Sequence, residues 1–308
     1  MVPSKPVIIG TRGSKLALRQ AEEVQVQLQA LHPTISFDLR IITSTGDRNL
    51  TTPLSSLGLG VFVKELEEAL LSREIDLAVH SLKDLPTQLA GELSIAAIMA
   101  RRDARDALVS NSGTTLSSLP AGSRVGTGSP RRACLVRATR PDLEVIPIRG
   151  NVPTRLSKLD SSEYDALVLA AAGLDRLGLL ERVSEFLDLE EFPPAPGQGA
   201  LAVEVRSKDK ETTSIAATLD HEPSRISVTA ERAFLLALGG GCAVPIGAYG
   251  KLEEGTLGLT GFIGTEDGLR LYRGAVSGPA SNAESLGEDL ARLLLEDGAG
   301  ELTQVLPQ

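Results

Sequence analysis

The chain has no tryptophan, only 3% aromatic residues, two cysteines and three histidines among its 308 residues. Each scarcity excludes a class of function. A surface that stacks successive bases of single-stranded nucleic acid needs aromatic rings, and few are available. Cys134 and Cys242 make neither a disulfide framework nor a C-x-x-C zinc site. His32, His80 and His221 show no metal-ligand spacing, so no metal is expected. No P-loop and no G-x-S-x-G elbow is present. No apolar run approaches the roughly 20 residues that cross a bilayer, and the opening MVPSKPVIIGTRGSK lacks the apolar core of a secretion signal. A net charge of −9 has the wrong sign for a general nucleic-acid binder. The expectation is a soluble cytoplasmic protein with neither a nucleic-acid nor a membrane partner.

What is present is ordinary globular composition, 42% hydrophobic and 23% charged, at a length that suits about two or three domains. The first half alternates strands and helices. Val7–Thr11 reads as a strand, Ser14 as the N-cap of a helix over Leu16–Leu31, and Phe37–Ile42 as the next strand. A helix over Phe62–Leu71 and strands at Ile75–His80 and Ser94–Met99 continue the order, which predicts a mainly parallel sheet covered by helices. The charge-dense Arg101–Asp106 reads as a crossing into a second α/β unit. There a strand near Val125, a helix from Pro130 capped by Ser129, a strand at Glu144–Ile148, a helix near Thr154 and a strand at Ala166–Ala170 repeat the pattern. PPAPGQGA, Pro193–Ala200, reads as the return crossing, followed by a strand at Leu201–Val205. The last third differs: a helix over Ile226–Leu238 stopped by Gly239-Gly240-Gly241, three strand-like runs with a hairpin signal at Asp267-Gly268, and a helix over Ala283–Leu295.

The central segment prefers arginine. Between Arg124 and Arg182 lie Arg131, Arg132, Arg137, Arg140, Arg149, Arg155 and Arg176, against Lys158 as the one lysine. Arginine forms bidentate forks with carboxylates and phosphates. Arg12, Arg131, Arg132, Arg149 and Arg155 fall where a strand gives way to a loop or helix, the edge at which open α/β sheets bind ligands, and helix N-termini there add N–H donors. Arg137 and Arg140 read as solvated helix positions. Asp84, in HSLKDLP after a strand, is either a turn cap or a carboxylate that stabilises a developing cation. Cys242, after three glycines, is either an exposed reactive thiol or a small core residue. Cys134 falls inside a predicted helix and reads as core. Taken alone, these features describe an enzyme or a binder for a polycarboxylate, including a non-catalytic anion-binding protein of the periplasmic type.

The segments TRGSKLALRQA, DLAVHSLKDLP, VGTGSPRR, RPDLEVIPIRGNVPTRLSKLD, YDALVLAAAGLDRLG, PAPGQGA and GGGCAVPIGAY stand in the order typical of the porphobilinogen deaminase family, and the resemblance runs from about Val7 to Tyr249. It implies two α/β domains like the type II periplasmic binding proteins plus a small C-terminal α+β domain, divided as 1–100 with 200–220, 101–199 and 221–308. It implies a dipyrromethane cofactor joined to Cys242 by a thioether, and a transferase that condenses four porphobilinogen molecules with loss of ammonia and releases hydroxymethylbilane. By resemblance, Asp84 is catalytic. Lys83, Ser14, Thr127, Ser129, Arg131, Arg132 and Arg155 hold the cofactor, while Arg12, Arg149, Arg155, Arg176, Asn151 and Gln198 meet the substrate and growing chain. A monomer, with a hand-off of product to uroporphyrinogen III synthase, is also implied. Three departures stand out. Gly58–Phe62 is shorter than the family's usual lid sequence and lacks its lysine, Pro130 and Pro153 replace common Leu and Gly, and Pro153 is expected to stiffen the turn before Arg155.

Overall fold

The computed structural model describes residues 5–43, 63–239 and 244–303. Cys242 and the Gly58–Phe62 segment lie outside the described residues. The chain divides into two compact units, residues 1–102 with 200–225 and residues 103–199 with 226–308.

The first unit is built on a five-stranded sheet. Its strands are β1 (Val7–Thr11), β2 (Phe37–Ile41), β3 (Leu77–Ser81), β4 (Leu93–Ile98) and β10 (Leu201–Arg206), in the order β2-β1-β3-β10-β4. β1, β2 and β3 run parallel, and β10 is antiparallel to both its neighbours. Helix α1 (Lys15–Leu31) presents Ala17, Ala21, Val24 and Leu28 to one face, the spacing of a single helical stripe. They pack with Ile9, Leu77, Val79, Leu201, Val203 and Val205. Helix α2 (Lys64–Leu71) covers the opposite face, where Leu66, Ala69 and Leu70 meet Ile75, Ala78 and Leu93. β10 is buried at every position, as a central strand packed on both faces must be.

The second unit holds two sheets. β5 (Asp106–Ser110), β6 (Arg124–Gly126), β7 (Glu144–Ile146), β8 (Ala166–Ala170) and β9 (Glu185–Phe186) form the order β7-β6-β8-β5-β9. β6, β7 and β8 are parallel, while β5 is antiparallel to β8 and β9. Helices α3 (Pro130–Thr139), α4 (Val152–Asp160) and α5 (Ala171–Arg176) follow β6, β7 and β8 respectively. The third sheet is a meander of β11 (Ile246–Glu253), β12 (Thr256–Gly264) and β13 (Leu271–Pro279). The β12–β13 connection turns at Gly268, whose φ of +75° suits the predicted hairpin. α7 (Glu222–Ala237) and α8 (Ala283–Leu294) bring Ala230, Phe234, Leu286 and Leu290 onto Ala248, Leu257 and Leu259. At Gly287 a Cβ would lie 2.4 Å from the Ala230 carbonyl oxygen, so the two helices meet with no room for a side chain.

The predicted fold class holds: two mixed sheets with helices and a small C-terminal sheet with helices. Most boundaries moved by a residue or two, which is ordinary fraying, while the helix expected from Ile226 begins four residues earlier, at Glu222. Among the elements not anticipated are β5, the short β9 and helices α5 and α6 (Lys210–Ala217). β5 was hidden because its first residue, Asp106, read as part of a charged crossing. In the structure Asp106 is 0% exposed. Its Oδ2 accepts from Arg131 Nη2 at 2.7 Å, and its Oδ1 accepts from Arg132 Nε at 3.0 Å and Nη2 at 2.8 Å. Gln198 Nε2 adds a further bond to Oδ1 at 2.9 Å. A charged residue can open a fully buried strand only when paired in this way. Cys134 is core, as expected, and burial pushes its thiol up to about 11.

Burial alone would raise the Asp106 pKa, but Arg131, Arg132 and the hydrogen bonds from Arg132 and Gln198 outweigh it and hold the carboxyl well below the usual range. A depressed folded-state pKa contributes stability above the unfolded value, and that contribution is lost as pH falls through the folded value. Asp106→Asn leaves two buried guanidiniums without their counter-charge and is expected to cost about 3–5 kcal/mol at neutral pH. Urea denaturation of both proteins against pH checks this, with the gap between them narrowing below pH ~4.

Candidate active site

In the first unit, Arg12 follows β1, and Lys83 and Asp84 follow β3 in a short helical turn, Leu82–Asp84. β1 and β3 are parallel neighbours, with Ile9 opposite Leu77 and Gly10 opposite Ala78, so Arg12, Lys83 and Asp84 leave the same C-terminal sheet edge. Asp84 is exposed and Lys83 half-buried. Ser14 caps α1: its Oγ accepts from the Ala17 N–H at 3.2 Å, and its hydroxyl proton remains to be donated elsewhere. The turn carrying Asp84 is tied at its base. Gln20 Nε2 donates to Ser81 Oγ at 2.8 Å, and the Leu82 N–H donates to the Ala200 carbonyl at 3.0 Å.

In the second unit, the C-terminal ends of β6, β7 and β8 gather the remaining expected residues. Thr127 is buried. Its N–H donates to the Ile146 carbonyl at 3.1 Å, and its Oγ1 accepts from the Ser129 N–H at 3.2 Å. Gly128 lets this loop approach the neighbouring strand end, because a Cβ there would stand 2.8 Å from the Ile148 carbonyl oxygen. Ser129 caps α3, accepting from the Arg132 N–H at 3.5 Å, with Pro130 in the first turn. Asn151 caps α4, its Oδ1 accepting from the Thr154 N–H at 3.0 Å. Pro153 also lies in the first turn of α4, where no N–H is needed, so it starts a helix rather than stiffening a loop.

The arginines take two distinct settings. Arg131 and Arg132 are turned inward, 5% and 6% exposed. Beyond Asp106, Arg131 Nη1 donates to the Pro193 carbonyl at 2.8 Å, while Arg132 donates to the Val168 carbonyl at 3.2 Å and to Gln198 Oε1 at 3.2 Å. Arg131 Nε is buried and, among the described residues, has no hydrogen-bond partner. Arg149, Arg155 and Arg176 are half-buried. Arg155 Nε donates to the Gly150 carbonyl at 2.8 Å, and among the described residues no carboxylate pairs with it. Burial, then the positive charges of Arg132 and Arg149, push the Arg155 pKa down to about 10, which leaves it charged at neutral pH. Arg176 Nη2 donates to the Gly199 carbonyl at 3.2 Å. One carboxylate, Asp106, faces both Arg131 and Arg132, and none of the described carboxylates faces Arg155, which leaves these three guanidiniums in excess. Such an edge suits a ligand with several carboxylates.

Gln198 differs from the role expected of it. Its side chain is 1% exposed, and its amide nitrogen donates to the Ala104 carbonyl at 2.7 Å as well as to Asp106. It braces the arginine–aspartate cluster from inside. Arg137 and Arg140, read as solvated, instead bond backbone carbonyls; Arg140 reaches those of Leu116, Ser117 and Leu119. Asp106 is the residue that sequence reasoning missed. The signal for it was a charged residue directly abutting the apolar run Ala107–Val109.

The sequence patterns described as "Porphobilinogen deaminase, dipyromethane cofactor binding domain" and "Porphobilinogen deaminase, C-terminal domain" match residues 7–214 and 225–296. The chain is 51% identical over 299 residues to the porphobilinogen deaminase of Desulforudis audaxviator, covering 97% of each chain. It is 51% identical to that of Roseiflexus sp., covering 96% of this chain and 98% of the relative, and 48% identical to that of Chromobacterium violaceum, covering 96% of each. Among solved structures, the Bordetella pertussis BvgS VFT2 domain aligns at 16% identity and a TM-score of 0.41, covering 71% of this chain and 87% of that one. The sulfonate-binding protein SsuA of Methylobacillus flagellatus aligns at 14% and 0.42, covering 77% and 70%. On the family patterns and the full-length relatives, this chain belongs to the porphobilinogen deaminase family.

Proposed function

We propose that the chain is a hydroxymethylbilane synthase. It joins four porphobilinogen molecules head to tail, releases ammonia at each joining, and frees the linear tetrapyrrole by hydrolysis from a dipyrromethane primer held on Cys242 through a thioether. The observation that carries this reading is the guanidinium cluster at the C-terminal edge of β6, β7 and β8, where Arg131 and Arg132 share the one carboxylate of Asp106 and Arg155 meets none of the described carboxylates. Porphobilinogen bears an acetate and a propionate, so primer and product are both polyanions.

The residues present fit the primer. Arg131 Nε is buried and, among the described residues, has no hydrogen-bond partner, and Arg155 meets none of the described carboxylates. Arg131, Arg132 and Arg155, with Lys83, Ser14, Ser129 and Thr127, are the groups to hold its carboxylates. When bound, the dipyrromethane supplies the pyrrole carbon that receives the first unit. Arg12, Arg149, Arg155 and Arg176 bind the substrate's carboxylates, and Asn151 offers its amide N–H. Gln198 acts through Arg132 rather than by contact. Asp84, exposed on its turn, accepts from pyrrole N–H groups and offsets the positive charge left when ammonia departs. An ionised carboxylate fits that task better than a neutral acid. Cys134, buried and with its thiol pushed up to about 11, is unsuited to carrying a covalent group.

The same reading takes the protein as a cytoplasmic monomer that passes its product to uroporphyrinogen III synthase. It treats 221–308 as a third domain, which the separate core of the meander supports.

Intact-mass measurement tests the covalent primer. The wild-type protein is expected to exceed its sequence mass by two condensed pyrrole units and to colour with an acidic aldehyde reagent, and Cys242→Ser to do neither. Wild type still unmodified after incubation with porphobilinogen or hydroxymethylbilane sinks the proposal. Asp84→Asn is expected to keep the primer mass while kcat falls about 10²–10³-fold; steady-state turnover of porphobilinogen measures this.

A further inference from the structure

β10 is an interior strand of its sheet, and all of Leu201–Arg206 is buried. Leu201, Val203 and Val205 enter the core beneath α1. Glu204, on the other face, is 0% exposed. Its Oε2 lies 3.0 Å from Nε2 of His80 on β3, and its Oε1 has no hydrogen-bond partner among the described residues. The register places Glu204 opposite Ala78 and Ala202 opposite His80, so the pair is a diagonal cross-strand contact. Glu67 of α2 faces the same pair: burial, then the negative charge of Glu204, raise its pKa, with His80 opposing. Arg206, two residues along the strand, is bonded elsewhere, to the Leu70 and Ile75 carbonyls, Asp76 and Asp209.

Stability does not call for an ionisable pair here. A packed apolar side chain at 204 would fill the sheet and strand no oxygen, and such replacements of buried ion pairs are commonly neutral or stabilising. A carboxylate supplies what an apolar chain cannot, a directional hold on the imidazole. That hold falls where the sheet hands over to the reacting turn. His80 is followed by Ser81, bonded to Gln20 of α1, and by Leu82, whose N–H meets the carbonyl of Ala200, the residue before β10. Asp84 lies at the end of this short lever.

We propose that Glu204 is a positioning residue for the Asp84 turn, acting through His80. The inference rests on the reading of Asp84 as the reacting carboxylate. Glu204→Leu removes the hold, whereas Glu204→Gln keeps a hydrogen-bonding group facing the imidazole.

Amide hydrogen exchange over Ser81–Leu85, read beside kcat and KM on primer-loaded protein, tests it. Glu204→Leu is expected to speed exchange about 10-fold in that turn, while amides of α1 keep their protection. The same variant is expected to lower kcat about 10-fold with KM unchanged, and Glu204→Gln to restore most of both. In an Asp84→Glu background, where the carboxylate is already displaced, Glu204→Leu should add less than about a further twofold loss. Exchange that rises equally across the unit, unchanged kcat in Glu204→Leu, or additive losses in the double variant would each overturn the inference. Asp84→Asn separates the two failures. If it is inactive while Glu204→Leu turns over normally, this inference alone fails. If it is fully active, the reading of Asp84 fails and takes this inference with it.

Discussion

Asp106 answers two guanidiniums with one carboxylate, entirely out of water. Remove it, and Arg131 and Arg132 become like charges buried side by side. With it, they are fixed to within a rotamer at the start of α3, and the cluster of two guanidiniums and one carboxylate keeps a net positive charge to present to an anion. The cost of burying such a cluster is met by saturating it with hydrogen bonds: Gln198, the Pro193 carbonyl and the Val168 carbonyl complete the set. Arg131 Nε is left over. The arrangement is therefore a pre-paid site, in which the desolvation of the binding groups happens on folding rather than when ligand arrives.

The two five-stranded sheets solve the same problem with the same topology. In each, three parallel strands aim their C-terminal ends at one edge, and an antiparallel strand fed by a crossing completes the sheet beside the third. The parallel ends carry the chemistry because the strand, the tight turn and the helix start put side chains, N–H donors and a positive dipole in one place. Short caps do much of the work. Ser14, Ser129 and Asn151 hold the first turns of α1, α3 and α4, which sets where Arg12, Arg132 and Arg155 leave the backbone.

Much of this was legible in the sequence. Periodicity and capping residues located α1, α3 and β8, and the arginine excess pointed to a polyanion. What escaped depended on partners far away in the chain. β5 starts with an aspartate that looks solvated until the arginines 25 and 26 residues later are folded onto it. Gln198 looked like a cleft residue because its neighbours are glycine and proline, yet its amide points into the interior. His80 was weighed only as a metal ligand. Its partner, Glu204, is 124 residues away and sits in a run, LAVEVR, that otherwise reads as a plain buried strand. Local pattern finds elements; it does not find pairings of buried charge.

The place of β10 has one more consequence, for the order in which the molecule assembles. β3 and β4 are separated in the sheet by a strand that leaves the ribosome about a hundred residues after them, a delay set by the spacing of Ile98 and Leu201. Until then β4 has no strand to pair with, and the apolar residues awaiting β10 have no cover. The first sheet is thus the first to be started, yet it cannot close until every strand of the β5–β9 sheet has been made. Its nascent form carries two open strand edges, the kind of surface that chaperones recognise and that aggregation exploits.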